Sequence, residues 1–342
     1  MFIKFFKILF NLFYKVYKTI LYFVPEFLYK YIIKVLEDLI SLTEANYYNK
    51  LKKKYKISIE NLNFYIYSRD LELFSNNIGK MEKKIPQPNW GKEYIYEYSA
   101  IKILQNLLGL EKNPLFIDVG AYQGYYATYV SKYLNDRFPV YAIESNKEFC
   151  DDIEKTIKLN NFSNCKLIHA ILSDQEKEMF FKSTAVGVAS KKTFLKEKNI
   201  LNSKTLDSIV NEFNLKPNIL KIDVHGSEGP LLKGAQKTLK NSVNFILLEL
   251  HAPSFINKYS PGYTRKMIVN NVIDLGFDCY AIGPFRTLDT DEGEIFLKQN
   301  KITYIKMPKQ DVEKILFDIS RGSMILAVRQ GFNIQKLDCF IH

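Results

Sequence analysis

Two short segments carry side chains able to move a proton or hold a cation. Residues 221–228 read Lys-Ile-Asp-Val-His-Gly-Ser-Glu, and residues 249–251 read Glu-Leu-His. Successive side chains on a strand alternate between faces, so Lys221, Asp223 and His225 share one side, as do Glu249 and His251. Two of the chain's four histidines fall here. A His or Asp within reach of a hydroxyl can take its proton as the oxygen becomes a nucleophile. Asp223, Glu249 and His251, joined by His225, also carry donor types that bind Mg²⁺ or Mn²⁺, and a divalent cation lowers the pKa of a hydroxyl directly. Residue types alone leave both routes open, with Asp223, His225 and His251 as the candidate catalytic groups. The quieter roles are a Lys221 ion pair with a nearby carboxylate, a hydrogen bond from the amino group of a small ligand to Asp223, and ordinary rim histidines. Gly226 and Gly229 allow the chain to turn, and Ser227 and Glu228 suit the start of a following helix.

The second constellation is the run LFIDVGAYQGYYATYV, residues 115–130. An apolar strand reaches Asp118, and Gly120-Ala121-Tyr122-Gln123-Gly124 then opens a helix. Glycines there permit a tight turn and close approach of a ligand to the backbone. Neither G-x-G-x-x-G nor a P-loop lysine is present, so no phosphate cradle is written. The next strand ends in Glu144, whose carboxylate can accept from both hydroxyls of a ribose; its plainer role is a solvated strand-end acid. Ser173 and Asp174 close a third strand. Asp174 can accept from an adenine amino group, or the pair can cap a turn.

These groups need a scaffold that gathers strand ends. Strand-like runs lie at 115–119, 140–144, 166–172, 219–224, 245–250, 278–282 and 323–328. Helix-like stretches lie at 124–134, 147–160, 206–214, 229–240, 263–275 and 310–320, with an earlier helix at 94–108 stopped by Gly109. Residues 176–182 and 186–190 read as an inserted hairpin, and 56–68 as one or two further strands. Strands alternating with helices predict an α/β fold with a doubly wound, mostly parallel sheet, and a crevice at the carboxyl ends of its strands.

The ordered segments FIDVGAYQGYY, VYAIESN, HAILSDQEKEMFF, TLDSIV, ILKIDVHGSEGPLLKGAQKTL and FILLELH resemble the FkbM-type family of S-adenosylmethionine (SAM)-dependent O-methyltransferases, over about residues 95–285. The resemblance implies the class I methyltransferase fold, a Rossmann-like seven-stranded sheet with one antiparallel strand near the edge, and SAM as cofactor. It implies that Asp118, Gly120, Ala121 and Gly124 line the methionine and ribose end, that Glu144 holds the ribose hydroxyls, and that Ser173 and Asp174 lie at the adenine. Glu97 sits where the family often has a cofactor-side Glu. The acceptor it implies is a hydroxyl on a glycan or lipid-linked saccharide. The family's common form of the 223–226 segment is D-V-E-G; His225 stands in place of that Glu, so the base assignment does not carry over.

The first forty residues are dense in Phe, Tyr, Ile and Leu, with Lys4, Lys7, Asn11, Lys15 and Lys18 at helical spacing. Their uncharged runs are shorter than the roughly twenty residues that span a bilayer. An amphipathic helix lying in a membrane interface is expected, with Pro25 separating it from a second helix; a helix pair packed on protein is the other reading. The predicted organisation is N-terminal helices over 1–42, a cap or linker over 43–93, and a methyltransferase domain over 94–342, in the cytoplasm at the inner face of a membrane. The net charge of +11 invites an RNA methyltransferase. Against it, there is no Asn-Pro-Pro-aromatic segment, and strand 245–250 ends in Glu249 and His251 rather than the Lys of ribose methylation. Nucleic acid is therefore not the expected partner. A non-catalytic SAM-binding protein at a membrane is the remaining alternative. The four cysteines are far apart and form no C-x-x-C pair, which predicts free thiols.

Overall fold

The computed structural model describes residues 53–59, 61–68, 97–182, 188–189, 199–283, 299, 301–318 and 323–340. The chain divides into two compact units, Met1–Leu51 and Lys52–His342. The expected N-terminal helices over 1–42 lie outside the described residues. Among the described residues no helix is long and apolar enough to cross a membrane.

The strands of the second unit are β1 (Lys53–Ile59), β2 (Leu62–Ser68), β3 (Phe116–Val119), β4 (Val140–Glu144), β5 (Cys165–His169), β6 (Ile171–Leu172), β7 (Lys177–Lys182), β8 (Val188–Ala189), β9 (Asn199–Lys204), β10 (Ile219–Ile222), β11 (Phe245–Leu250), β12 (Phe277–Gly283), β13 (Thr303–Lys306) and β14 (Ser323–Arg329). The helices are α1 (Tyr98–Leu110), α2 (Tyr125–Leu134), α3 (Lys147–Asn160), α4 (Leu206–Glu212), α5 (Glu228–Lys233), α6 (Gln236–Asn241), α7 (Pro253–Tyr259), α8 (Arg265–Asp274) and α9 (Val312–Asp318).

The main sheet has eight strands in the order β13-β12-β14-β11-β10-β3-β4-β5. From β11 to β5 all neighbours are parallel. β14 runs antiparallel to both β11 and β12, and β13 antiparallel to β12. The doubly wound sheet and its reversed strand are as expected; β13 is the addition. Its four residues are half-buried to exposed, so no apolar run marked it. After β3 the chain builds outward through β4 and β5, then returns to lay β10 on the other side of β3. That reversal opens a crevice at the carboxyl ends of β3 and β10.

The central strands β3, β4, β10 and β11 are buried along their whole length, as both-faced coverage of a parallel sheet requires. Phe116, Val140, Ala142, Ile219, Phe245 and Leu247 pack on one face, and Ile117, Ile143, Leu220, Ile222, Ile246 and Leu248 on the other. Alternation therefore puts Asp118, Glu144, Lys221 and Glu249, all buried, on the first face. Four ionisable groups beneath one crevice mark where the sheet gives up apolar packing.

Several expected elements are redrawn. The 229–240 helix is two, α5 and α6, separated at Gly234 and Ala235. A Cβ on Gly234 would meet the Ser173 carbonyl oxygen at 2.0 Å, so close packing there is backbone on backbone. Asp207 accepts from the Lys237 and Thr238 amides at 3.0 and 2.7 Å, which caps the restarted helix. The 166–172 strand breaks at Ala170, whose amide turns to the Glu144 carbonyl at 3.0 Å. Gly109 does not stop α1, which runs on to Leu110 and ends in extended Glu111. The inserted hairpin belongs to a separate four-stranded sheet, β6-β9-β7-β8; β9 and the short helix α7 carried no sequence signal.

Residues 53–68 form the hairpin β1-β2 and belong to the second unit. Ile59, Phe64 and Ile66 join the core beside α1 and α2. The β2 edge is covered by α3: Asn160 Oδ1 accepts from the Tyr65 amide at 2.7 Å and Thr156 Oγ1 from that of Tyr67 at 3.0 Å, which stops the edge from pairing elsewhere. The second compact unit thus includes this hairpin together with the α/β core. The four cysteines are buried and free.

Candidate active site

The turn after β3 is held open by backbone geometry. Gly120 and Gly124 have φ of 77° and 78°, a region that costs a side chain dearly. A Cβ on Gly120 would lie 1.9 Å from the Asp223 carbonyl oxygen. Gly120 is therefore where the turn after β3 rests against the end of β10. Ala121 is buried, and its amide donates to the Ile143 carbonyl at 3.1 Å. Gln123 accepts from the Ser68 hydroxyl, which ties the turn to the end of β2.

Asp118 accepts from the Ala127 amide at 3.0 Å through Oδ2, which secures the first turn of α2. Its Oδ1 is buried and has no hydrogen-bond partner among the described residues. Burial pushes its carboxyl up to about 6, against the pull of Lys221. Glu144 accepts from the Tyr122 amide at 2.8 Å through Oε2, and from those of Ser145 and Asn146 at 2.8 and 2.7 Å through Oε1. Burial pushes it up to about 8, against those backbone donors, which favour the charged form.

The other residues expected at the cofactor sit differently. Ser173 is buried and donates to Asp174 at 3.2 Å. Asp174 pairs with Lys177 at 3.3 Å and Lys233 at 3.4 Å. Burial opposes its ionisation, but Lys177 holds it below the usual carboxylate range. Glu97, at the start of α1, accepts from the Tyr126 hydroxyl at 2.5 Å. The Tyr126 ring in turn lies 4.8 Å from the Lys221 ammonium, and this contact joins α1 and α2 to the reacting end.

At that end the side chains meet one another. Lys221 is 2% exposed and donates to Asp223 Oδ2 at 2.9 Å. Burial would discharge it, but Asp223, Glu249, Glu97 and Asp118 hold it well above the usual lysine range. Asp223 Oδ1 faces His225 Nδ1 and His251 Nε2, each at 3.6 Å. Burial opposes a charged Asp223, but Lys221 and the two imidazoles keep its carboxyl far below the usual range. The two rings are 4.7 Å apart. His251 Nδ1 meets Glu228 Oε1 at 2.7 Å, and its Nε2 lies 3.5 Å from Glu249 Oε1. Burial favours a neutral ring at both histidines; it prevails at His225, whereas Glu228 raises His251 above the ordinary value.

The ligand atoms that converge are those of Asp223, His225 and His251, within 4.8 Å of one another. The set differs by one member from Asp223, Glu249 and His251: Glu249 faces His251 instead. Glu228 is the residue sequence reasoning missed. It starts α5 as expected, but Ser227 makes no side-chain cap, and Glu228 folds inward, fully buried, onto the Gly226 amide and His251. The left-handed backbone at His225 and Gly226 makes that fold-back; in sequence Glu228 is indistinguishable from an exposed first-turn acid.

The sheet order and a glycine turn at its switch point are those of a Rossmann-like crevice, the kind of fold on which SAM is the expected cofactor. One feature of the residues fits that cofactor: Asp118 Oδ1 is a buried acceptor without a hydrogen-bond partner among the described residues, beside the glycine turn. Residues 118–279 match the methyltransferase FkbM domain. A stretch of 157 residues, 46% of the chain, is 27% identical to the hexuronic acid methyltransferase AglP of Haloferax volcanii and covers 63% of that protein. The chain thus spans less than two thirds of that relative. Among solved structures, methyltransferase FkbM from Methylobacillus flagellatus KT is 13% identical with a TM-score of 0.39, covering 64% of this chain and 45% of that one. Aeropyrum pernix fibrillarin in complex with S-adenosyl-L-methionine is 14% identical with a TM-score of 0.36, covering 67% and 74%.

Proposed function

We propose that the protein methylates a sugar hydroxyl on a glycan or lipid-linked saccharide. The observation that carries this is the meeting of Asp223, His225 and His251 beside the cofactor turn. SAM supplies an electrophilic methyl group. A carboxylate acceptor would need no proton removed, and a cluster of two imidazoles and an aspartate would then be idle. A hydroxyl is a poor nucleophile at neutral pH and needs such a cluster. Lys221 fixes the Asp223 carboxylate, Glu228 fixes His251, and the proton leaves at the face they form. The name of the Haloferax volcanii relative, a hexuronic acid methyltransferase, supports a saccharide acceptor.

Mass spectrometry of glycans from cells with and without the gene tests this. Loss of one methyl ether from one sugar is the expected result; an unchanged glycan profile would overturn it. We further propose that residues 1–40 hold the enzyme on a membrane surface. Deleting them should move the protein out of the membrane fraction, and unchanged fractionation would rule the anchor out.

A further inference from the structure

We propose that Asp223 Oδ1, His225 Nδ1 and His251 Nε2 bind one divalent transition-metal ion, of the Mn²⁺, Fe²⁺, Co²⁺ or Zn²⁺ class. The inference builds on the proposed hydroxyl methylation and names how the cluster acts.

The case starts from the hydrogen of His251. Glu228 Oε1 already accepts from the Gly226 amide at 3.0 Å, so it is an acceptor toward His251 Nδ1 as well, at 2.7 Å. The proton of a neutral His251 therefore sits on Nδ1, and Nε2 presents a lone pair. That lone pair faces two carboxylate oxygens, Asp223 Oδ1 at 3.6 Å and Glu249 Oε1 at 3.5 Å. With His251 neutral, its Nε2 lone pair and Asp223 Oδ1 are two acceptors facing each other, an arrangement that a cation bound between them relieves. Neither distance is a hydrogen bond, which needs about 2.7–3.2 Å.

Asp223 makes the same point from its own side. Oδ2 is held by Lys221 at 2.9 Å, which leaves Oδ1 as a single-oxygen donor. Oδ1 is buried without a hydrogen-bond partner among the described residues, a costly state for a carboxylate. Two imidazole nitrogens stand at the same 3.6 Å from it, too far to satisfy it and spaced like ligands around a common centre. His225 reaches that position from a left-handed backbone, φ 50°. Such a conformation is disfavoured in a residue with a side chain and persists where the surroundings demand it.

Two imidazoles and one carboxylate leave coordination positions open, and nitrogen donors select transition metals over Mg²⁺, which prefers oxygen. A carboxylate behind a ligating imidazole is the usual device for fixing its tautomer, and Glu228 is in that place. His225 stands where the common form of the resembled segment has Glu, and it gives this chain a nitrogen donor at that position.

The test uses the full chain, stripped with chelator and titrated with Mn²⁺, Co²⁺ and Mg²⁺ by calorimetry, with the visible spectrum of Co²⁺ as a second readout. S-adenosylhomocysteine binding is measured on the same samples. Mn²⁺ and Co²⁺ should bind at one site, more tightly than Mg²⁺. His225→Asn, which tolerates a left-handed backbone, and His251→Gln should each weaken binding at least about tenfold, and Glu228→Gln about 10- to 100-fold, with the Co²⁺ spectrum altered. No saturable Mn²⁺ or Co²⁺ binding to wild-type chain that binds S-adenosylhomocysteine would overturn the metal site and leave methyl transfer standing. Unchanged affinity in the histidine variants would overturn it too. Metal binding without S-adenosylhomocysteine binding would uphold the site and sink the methyltransferase reading.

Discussion

On the side of the crevice proposed for the cofactor, at the ends of β3 and β4, charged groups are met by backbone. Glu144 takes three amides and Asp118 one. On the reacting side, at the ends of β10 and β11, charged groups are met by other side chains: Lys221 by Asp223, and His251 by Glu228. Backbone donors are fixed by the fold and cannot be removed by substitution, whereas a side-chain pair fails when either member is changed. The cofactor side should therefore tolerate changes of charge and resist changes of backbone shape, and the reacting side the reverse.

The largest expected effect is on the reacting side. Asp223→Asn should lower the methylation rate by about 10²- to 10⁴-fold, the span of a lost proton-transfer group, with S-adenosylhomocysteine affinity changed by less than about threefold. A matching loss of affinity would erase the distinction between the two sides. Gly120→Ala comes next, because its Cβ would sit 1.9 Å from the Asp223 carbonyl oxygen at a φ of 77°. Urea unfolding should report a loss of about 3 kcal/mol or more. Gly109→Ala, with nothing within 4 Å, should instead add about 0.5–1 kcal/mol as a helix substitution. Equal effects at the two glycines would contradict the backbone account.

A smaller effect comes from protons. Burial raises the Asp118 carboxyl from 3.8 to about 6, so the folded chain holds that proton where the unfolded chain has lost it. Stability should fall as pH rises through that window, by up to about 3 kcal/mol. A positively charged ligand group at Oδ1 favours the ionised form, so SAM affinity should drop about tenfold between pH 7 and pH 5. Asp118→Asn should flatten the affinity profile and make the stability profile shallower, leaving the slope that Glu144, raised to about 8, contributes; unchanged profiles would place the titration elsewhere. The smallest effect is expected at Asp174. Its carboxylate is shared by Lys177 and Lys233 at 21% side-chain exposure, and Asp174→Ala should weaken S-adenosylhomocysteine by less than about threefold. A tenfold loss would mark a dedicated adenine contact.

Much of the cofactor side was legible because its signals are local. The apolar run before Asp118, two glycines four apart and a strand ending in Glu144 are short-range patterns with one structural solution. Strand period correctly put Lys221 on the crevice side, but β10 ends at Ile222, and Asp223 and left-handed His225 meet there from the turn that follows rather than by the expected alternation. What escaped depends on distant partners. The inward turn of Glu228 needs His251 twenty-three residues on. The break at Gly234 needs the Ser173 carbonyl and the Asp207 cap. The lysines that occupy Asp174 come from β7 and α5, and no single segment advertises that meeting.

The most direct test of the central claim offers methyl-labelled SAM and a panel of uronic-acid and neutral saccharides to the full chain, wild type beside Asp223→Asn. The expected result is label in an alkali-stable methyl ether, made by wild type and nearly absent with the variant. Label only in an alkali-labile ester, or equal transfer by both proteins, would contradict the assignment of this crevice to hydroxyl methylation.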